Sequence, residues 1–227
     1  MRKLLLIAIT ALATLGAHAQ DEYEYRMEIG VGGGMVNYLG DFNGSIVSNM
    51  QPSASLILRR VFNPYMGLKL DFAYGKLKGS SADVKTWYPE LADNPIDFNS
   101  TLMDLSLSFE YNFWPYGTGR EYRGAKRLTP FVFLGIGGTY AKTGDESVFT
   151  ANVPIGVGVK YKLGRRLNLG LEWAAHFSLS DKLDGVADPY GIESSGLFKN
   201  TDCYSMLKFT ITYSFMPKCK ICNKDDY

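Results

Sequence analysis

Hydrophobic and polar residues alternate strictly along the segment 101–113, TLMDLSLSFEYNF. From residue 103 onward the odd positions are apolar or aromatic, while the even positions are Asp104, Ser106, Ser108, Glu110 and Asn112. A period of two predicts a β-strand with one apolar face and one polar face. At about 3.3 Å per residue, such a strand is long enough to cross a bilayer, which requires about 9–11 tilted residues.

The same alternation recurs along the chain. The predicted strands are 26–37, 53–62, 65–76, 101–113, 129–141, 152–162, 166–180 and 204–215. Turns at 63–64, 115–128 and 164–165 alternate with loops at 38–50, 77–100, 142–151 and 181–202. An even strand number, with turns at one end and long loops at the other, is typical of outer-membrane barrels. We therefore predict an all-β chain that forms an eight-stranded antiparallel transmembrane barrel over residues 20–216, with both termini in the periplasm.

In such a barrel the apolar face contacts outer-membrane lipid and the polar face fills the interior. Seven charged residues are predicted to pair there: Lys69, Asp71, Asp104, Glu110, Lys160, Glu172 and Lys208. An eight-stranded barrel has just enough interior space for side chains, which argues against a porin. The alternative is a soluble sandwich or lipocalin-like barrel, whose apolar face would point inward.

The first nineteen residues have the features of a secretory signal peptide. Arg2 and Lys3 precede an apolar stretch over 4–15, and Ala17-His18-Ala19 provides a small-x-small cleavage site. Export and a strand-rich mature chain together predict the outer membrane as the location. The formal net charge of +1 argues against a nucleic-acid partner.

The predicted periplasmic tail, 217–227, contains Cys219 and Cys222 in a C-x-x-C arrangement. In an oxidising compartment this pair can form a disulfide, bind zinc or act as a redox pair. No further Cys/His pair completes a zinc site. We therefore expect a local disulfide between Cys219 and Cys222, and neither a metal site nor a cofactor.

Glu172, His176 and Ser178 share one face of the strand 166–180. Serine, histidine and an acid are the groups used for acyl hydrolysis by outer-membrane lipid A deacylases. Here they are predicted to point into the barrel, where an acyl chain approaching from the membrane does not reach them. Hydrogen bonding within the interior is the favoured interpretation, and no enzymatic activity is predicted.

The connector between the fourth and fifth strands is basic, with Arg120, Arg123, Lys126 and Arg127. These cations have two interpretations, contact with an acidic partner or simple solvation.

Three motifs support a family resemblance. They are Gly33-Gly34 followed by Asn37-Tyr38-Leu39-Gly40-Asp41, the segment SDKLD at 180–184 with Val186 and Tyr190, and the Cys219–Cys222 pair. With these motifs the chain resembles the PorG-like outer-membrane barrel family, which is associated with type IX secretion and gliding. In the second motif Asp184-Gly185 stands where two acidic residues are expected, which weakens the case for Ca²⁺ binding there.

The resemblance implies a non-enzymatic protein that anchors a periplasmic secretion ring, built of a lipoprotein and its partner, to the outer membrane. Carried onto this chain, the contacts come from Arg120, Arg123, Lys126, Arg127, Cys219 and Cys222. Two alternatives stay open. One is a small OmpX/OmpA-like adhesion or ligand-binding barrel that acts through its outer loops, and the other is a lipid A-modifying barrel enzyme.

Overall fold

The computed structural model describes residues 25–39, 50–80, 97–117, 124–143, 146–179 and 203–217. These residues form eight strands: β1 (Tyr25–Leu39), β2 (Gln51–Asn63), β3 (Met66–Ser80), β4 (Asp97–Asn112), β5 (Leu128–Thr143), β6 (Glu146–Lys162), β7 (Leu167–Ser178) and β8 (Cys203–Pro217). Each strand pairs antiparallel with its neighbour in sequence, and β1 pairs with β8, so the sheet closes into a barrel. The predicted fold class, strand number and strand order are confirmed. No helix in the described part of the chain is long and apolar enough to span a membrane.

The outer wall of the barrel is apolar on every strand. In β4 the polar residues Asp104, Ser106, Ser108 and Glu110 are buried, whereas the leucines and the phenylalanine between them are exposed. Each of the eight strands exposes at least one large apolar side chain on this wall: Val31, Leu56, Phe72, Leu105, Ile136, Ile155, Leu171 and Phe209. Soluble monomers rarely expose such a continuous apolar surface, whereas a bilayer requires it. The soluble alternative is therefore wrong.

The predicted loop 142–151 is wrong in its extent. β5 continues to Thr143 and β6 begins at Glu146, and these two residues pair in the register of the hairpin. β3 and β4 likewise extend into the predicted loop 77–100, pairing as far as Ser80 and Asp97. Beyond the lipid band the outer face of a strand no longer has to be apolar, so the backbone ladder continues although the apolar-outside pattern has stopped. In β3, for example, Leu77 is buried and Lys78 is exposed.

Close approach between strands explains several glycines. A Cβ on Gly34 in β1 would overlap the carbonyl oxygen of Leu207 and lie 2.8 Å from the Cα of Lys208 in β8. A Cβ on Gly156 in β6 would overlap the ring of Phe133 in β5. These glycines leave room for the neighbouring strand and for bulky interior side chains, as a narrow closed barrel requires.

Gly33 and Gly34 provide a matched test of this packing. We expect Gly34→Ala to lower the free energy of unfolding by about 1–3 kcal/mol, because the added methyl group meets backbone atoms that cannot move aside. Gly33→Ala should change it by less than about 0.5 kcal/mol, because nothing lies within 4 Å of its added Cβ. Urea unfolding of both variants in detergent or lipid measures the difference. Equal losses would contradict this account of the β1–β8 contact.

Candidate functional site

The interior of the barrel is organised around eight charged side chains, here called the ionic network. Its members are all buried, and its four cations and four carboxylates make it formally neutral: Glu28, Arg59, Lys69, Asp71, Glu110, Lys160, Glu172 and Lys208. They come from every strand except β5. The sequence predicted six of them as interior pairing groups and omitted Glu28 and Arg59.

Arg59 of β2 lies at the centre of the ionic network. Its Nη1 donates to Glu28 Oε2 at 2.5 Å, and its Nη2 donates to Glu110 Oε1 at 3.2 Å. Nη2 also lies 3.5 Å from Glu172 Oε1. Arg59 Nε is 2.7 Å from Glu110 Oε2, although its N–H bond does not point at that oxygen. One guanidinium therefore joins carboxylates from β1, β4 and β7, which suits the rigid fork of five donors that arginine offers.

The three lysines complete the pairing across the barrel. Lys69 Nζ donates to Glu172 Oε2 at 2.6 Å, and Lys160 Nζ donates to Glu110 Oε2 at 2.6 Å. Lys208 Nζ pairs with Asp71 Oδ2 at 2.5 Å. Because a buried charge without a partner is costly, these contacts make the interior both filled and electrically balanced.

The strand β5 contributes aromatic faces instead of charges. Lys69 Nζ lies 4.0 Å from the ring centroid of Phe133, and Lys160 Nζ lies 4.0 Å from that of Phe131. The two rings are stacked, with centroids 5.9 Å apart. Each lysine therefore has a carboxylate partner and a cation–π contact, so all eight strands take part in the packing around the charges.

A second polar cluster surrounds Asp104 of β4. Its Oδ2 accepts hydrogen bonds from Tyr204 at 2.8 Å, Thr139 at 3.2 Å and Asn152 at 2.5 Å. The His176 ring stacks on Tyr204 with centroids 4.6 Å apart, and its Nδ1 is 3.8 Å from Asp104 Oδ1. Three neutral donors satisfy this carboxylate without a directly bonded cation.

Glu172, His176 and Ser178 point into the barrel as predicted, but they do not form a catalytic arrangement. All three side chains are buried inside the barrel. The carboxylate of Glu172 pairs with Lys69 and Arg59, and Ser178 Oγ donates to the hydroxyl of Thr150 at 3.4 Å. The carboxylate nearest to His176 is therefore Asp104, and Glu172 is not placed to orient a histidine base. Within the described ranges, no three His, Cys, Asp or Glu side chains converge as metal ligands would.

An apolar cluster lies inside the barrel towards the loop end. Eight buried residues pack there as one cluster, here called the apolar plug: Val36, Tyr38, Ala73, Leu77, Leu102, Ala141, Tyr204 and Met206. Tyr38 belongs to the first motif of the family resemblance, and its side chain is fully buried. This motif residue therefore serves packing inside the barrel.

The turn end of the barrel is covered by the β4–β5 connector. Tyr116 donates from its hydroxyl to Asn168 Oδ1 at 3.1 Å, and burial raises the pKa of this phenol well above its ordinary value. Beneath it lies a cavity of about 40 Å³, lined in part by Glu28, Arg59 and Lys162. That volume holds about three water molecules. The sequence predicted only a turn at 115–128, because a covering role depends on contacts with strands distant in sequence.

Backbone hydrogen bonds hold this connector in place. The Tyr116 amide donates to Pro64 O at 3.1 Å, and the Lys162 amide donates to Arg127 O at 2.7 Å. The Gly117 amide donates to Lys126 O at 3.1 Å, which joins the two limbs of the connector. Gly124, with φ of +79°, adopts the left-handed conformation that a return of the chain here requires.

Of the six residues predicted to contact a partner, two lie in the described part of the chain. Lys126 and Arg127 are both exposed at the turn end, and Lys126 Nζ lies 4.5 Å from the ring centroid of Trp114. The others lie outside the described residues: Arg120, Arg123, Cys219 and Cys222. The predicted disulfide, the signal peptide over 1–19 and the motif at 180–184 also fall there and stay predictions.

The family profile described as "Domain of unknown function (DUF6089)" matches residues 2–224. The chain belongs to the DUF6089 family. No curated protein matches this DUF6089 member in sequence. Among solved structures it is similar to Neisserial surface protein A, with 12% identity, a TM-score of 0.52 and coverage of 86% of this chain and 100% of that chain.

Two further structures of outer-membrane type are similar at lower scores. The attachment invasion locus protein Ail of Yersinia pestis has 13% identity and a TM-score of 0.45, with coverage of 85% of this chain and 98% of that chain. The outer membrane protein OprG of Pseudomonas aeruginosa has 12% identity and a TM-score of 0.42, with coverage of 85% of this chain and 97% of that chain. At this identity the similarity to Neisserial surface protein A concerns the fold alone. This DUF6089 member has the fold of the small eight-stranded outer-membrane barrels.

Arg59 and Arg60 are adjacent cations on opposite faces of β2, and they test the ionic network. We expect Arg59→Gln to lower the free energy of unfolding by about 3–5 kcal/mol, because three buried carboxylates lose their shared partner. Arg60→Gln removes an exposed cation that lies 5.8 Å from the ring centroid of Phe62, and should cost less than about 1 kcal/mol.

Urea-dependent folding into lipid vesicles, followed by tryptophan fluorescence, measures both variants. Adding Glu110→Gln to Arg59→Gln should restore part of the loss, because it removes one of the carboxylates left without a cation. An Arg59→Gln variant as stable as Arg60→Gln would show that the network does not stabilise the barrel.

Proposed function

We propose that this protein is a non-enzymatic barrel of the outer membrane that docks a periplasmic secretion-ring assembly through its turn end. The finer part of this proposal, a lipoprotein ring and its partner, comes from the PorG-like resemblance of the sequence. The fold and the apolar outer wall support a location in the outer membrane.

The interior supports a role at the ends of the barrel. The charged groups of the ionic network form ion pairs with one another, and His176 stacks against Tyr204. The apolar plug fills the interior towards the loop end, and Tyr116 covers it at the turn end. A wall that contacts lipid and an interior that is packed leave the turn end and the loop end as surfaces for recognition.

The observation that carries the proposal is the folded, cationic surface of the turn end. Lys126 and Arg127 are exposed on a connector that hydrogen bonds fix to the β2–β3 turn and to β6. Arg165 and Arg166 are exposed on the adjacent β6–β7 turn, and Arg166 Nη1 donates to the Tyr213 hydroxyl at 2.7 Å. A preorganised basic surface fits an acidic protein partner, because less conformational freedom is lost on binding.

The alternative of recognition through outer loops depends on 40–49, 81–96 and 180–202, which lie outside the described residues. It differs from docking in the end of the barrel that it uses. The orientation of the barrel and the position of cross-links therefore separate the two functions.

The proposed orientation predicts the labelling of single cysteines in cells. In a chain whose native cysteines are replaced by serine, Asn99→Cys at the loop end should react with a membrane-impermeant maleimide in intact cells. Arg165→Cys at the turn end should react only after the outer membrane is permeabilised, because the turns and termini face the periplasm. Labelling at Arg165→Cys in intact cells would reverse the orientation and exclude periplasmic docking by this end.

Docking itself is tested by a photo-cross-linking amino acid placed at Lys126. We expect a specific cross-link to a periplasmic lipoprotein, and none from the same group at Ile136, which is exposed in the middle of the lipid-facing wall. Lys126→Glu combined with Arg127→Glu should weaken capture of that lipoprotein while the barrel still shows heat-modifiable migration. If position 126 gives no cross-link to any periplasmic protein, the docking proposal fails.

A further inference from the structure

The described carboxylates of this barrel lie inside it, whereas its cations lie both inside and on the surface. Wherever the structure describes the side chain, each carboxylate is buried: Glu28, Asp71, Asp104, Glu110 and Glu172. In the same described set, each exposed charged residue is a cation: Arg26, Arg60, Lys76, Lys78, Lys126, Arg127, Lys142, Arg165 and Arg166. The described outer surface is therefore positive, although the whole chain is nearly neutral.

Three of these cations form a group on the outer wall near the loop end. Lys76 of β3 and Lys142 of β5 both pair in register with Thr101 of β4, so the two lysines flank it on either side. Lys78 lies two residues further out on β3, where it pairs with Asn99. With strands about 4.8 Å apart, the Cα atoms of Lys76 and Lys142 are about 10 Å apart, and all three ammonium groups can approach one ligand. This group is here called the lysine patch.

The lysine patch lies directly above an aromatic row. Tyr74 and Tyr140 both pair in register with Met103, two residues towards the middle of the barrel, and both tyrosines are exposed. Below them the wall continues with the exposed apolar residues Phe72 and Leu105. Exposed tyrosines at a strand end mark the boundary between lipid chains and headgroups.

This order places the lysines at the depth of lipid headgroups. A lysine on the lipid-facing wall costs about 2–4 kcal/mol at the bilayer midplane but little at the interface, where its ammonium group reaches polar atoms. Among the side chains that the structure describes, no carboxylate lies on the outer wall beside the lysine patch, so a headgroup anion is a suitable partner for its charge. A ligand that joins phosphates to acyl chains matches the lysines, the tyrosines and the apolar wall together.

We propose that Lys76, Lys78 and Lys142 bind the phosphate groups of a phosphorylated glycolipid of the lipid A type in the outer leaflet. The proposal rests on the outer-membrane location and orientation proposed above. A free phosphate ion matches only the lysines, whereas this lipid also explains the aromatic row and the apolar wall beneath it.

The test uses the full mature chain in neutral detergent micelles. The first variant is Lys76→Gln/Lys78→Gln/Lys142→Gln. Its matched control, Arg26→Gln/Arg60→Gln/Arg165→Gln, removes three exposed cations from the turn end. The probes are diphosphoryl lipid A, the same lipid without phosphates, phosphatidylglycerol and inorganic phosphate, and the measured quantity is Kd from native mass spectrometry or fluorescence titration.

We expect wild type and the control to bind diphosphoryl lipid A with the same Kd. The lysine variant should bind it about a hundredfold more weakly, because each basic residue near the lipid surface contributes about fivefold to the affinity. Equal losses in both variants would leave only unspecific charge attraction and overturn the proposal. Equal affinity for phosphatidylglycerol, for inorganic phosphate or for the phosphate-free lipid would overturn it as well. Docking is read separately by the cross-link at position 126, so either proposal can fail without the other.

Discussion

The need to neutralise charge inside a narrow closed barrel governs this structure. The ionic network brings four cations and four carboxylates together in the interior, and Arg59 joins three of those carboxylates. Removing an ion from water costs several kcal/mol unless a partner and hydrogen bonds replace the lost hydration. Seven strands supply the charges, and β5 supplies the phenylalanine rings beneath two lysines. The network therefore links the register of each strand to all the others, because a slip of one residue would move a charge onto the lipid face.

The same constraint accounts for the surface. Since the described carboxylates serve inside, the exposed charges on the described wall and turns are lysines and arginines. Most of them lie on turns or near the strand ends, where charged groups can reach water or lipid headgroups. The described surface is positive because the described carboxylates lie inside. This positive charge directs both proposed interactions, with an acidic protein at the turn end and with lipid phosphates near the loop end.

Residue types that suggest catalysis have structural roles here. Glu172 pairs with Lys69 and Arg59, His176 stacks on Tyr204, and Ser178 donates to Thr150. In a barrel of eight strands each inward position faces several others across a short distance, so polar side chains are bound by one another. Activity of such a protein is therefore sought at its ends, where Tyr116 and the described residues of the β4–β5 connector form a hydrogen-bonded surface.

The sequence by itself determined the eight strands, their order and the face that each presents. It could do so because a period of two is a local property, and the contrast between a lipid-facing wall and a mostly polar interior imposes it on most strands. Only the tertiary structure decided which charges meet. Lys69 and Glu172 are 103 positions apart and bond across the barrel, and Arg59 was a polar-face residue without a known partner until the strands closed. The covering by Tyr116 and the extension of β5 and β6 to Thr143 and Glu146 likewise depend on contacts between distant strands or on backbone pairing in water, which leave no alternation in the sequence.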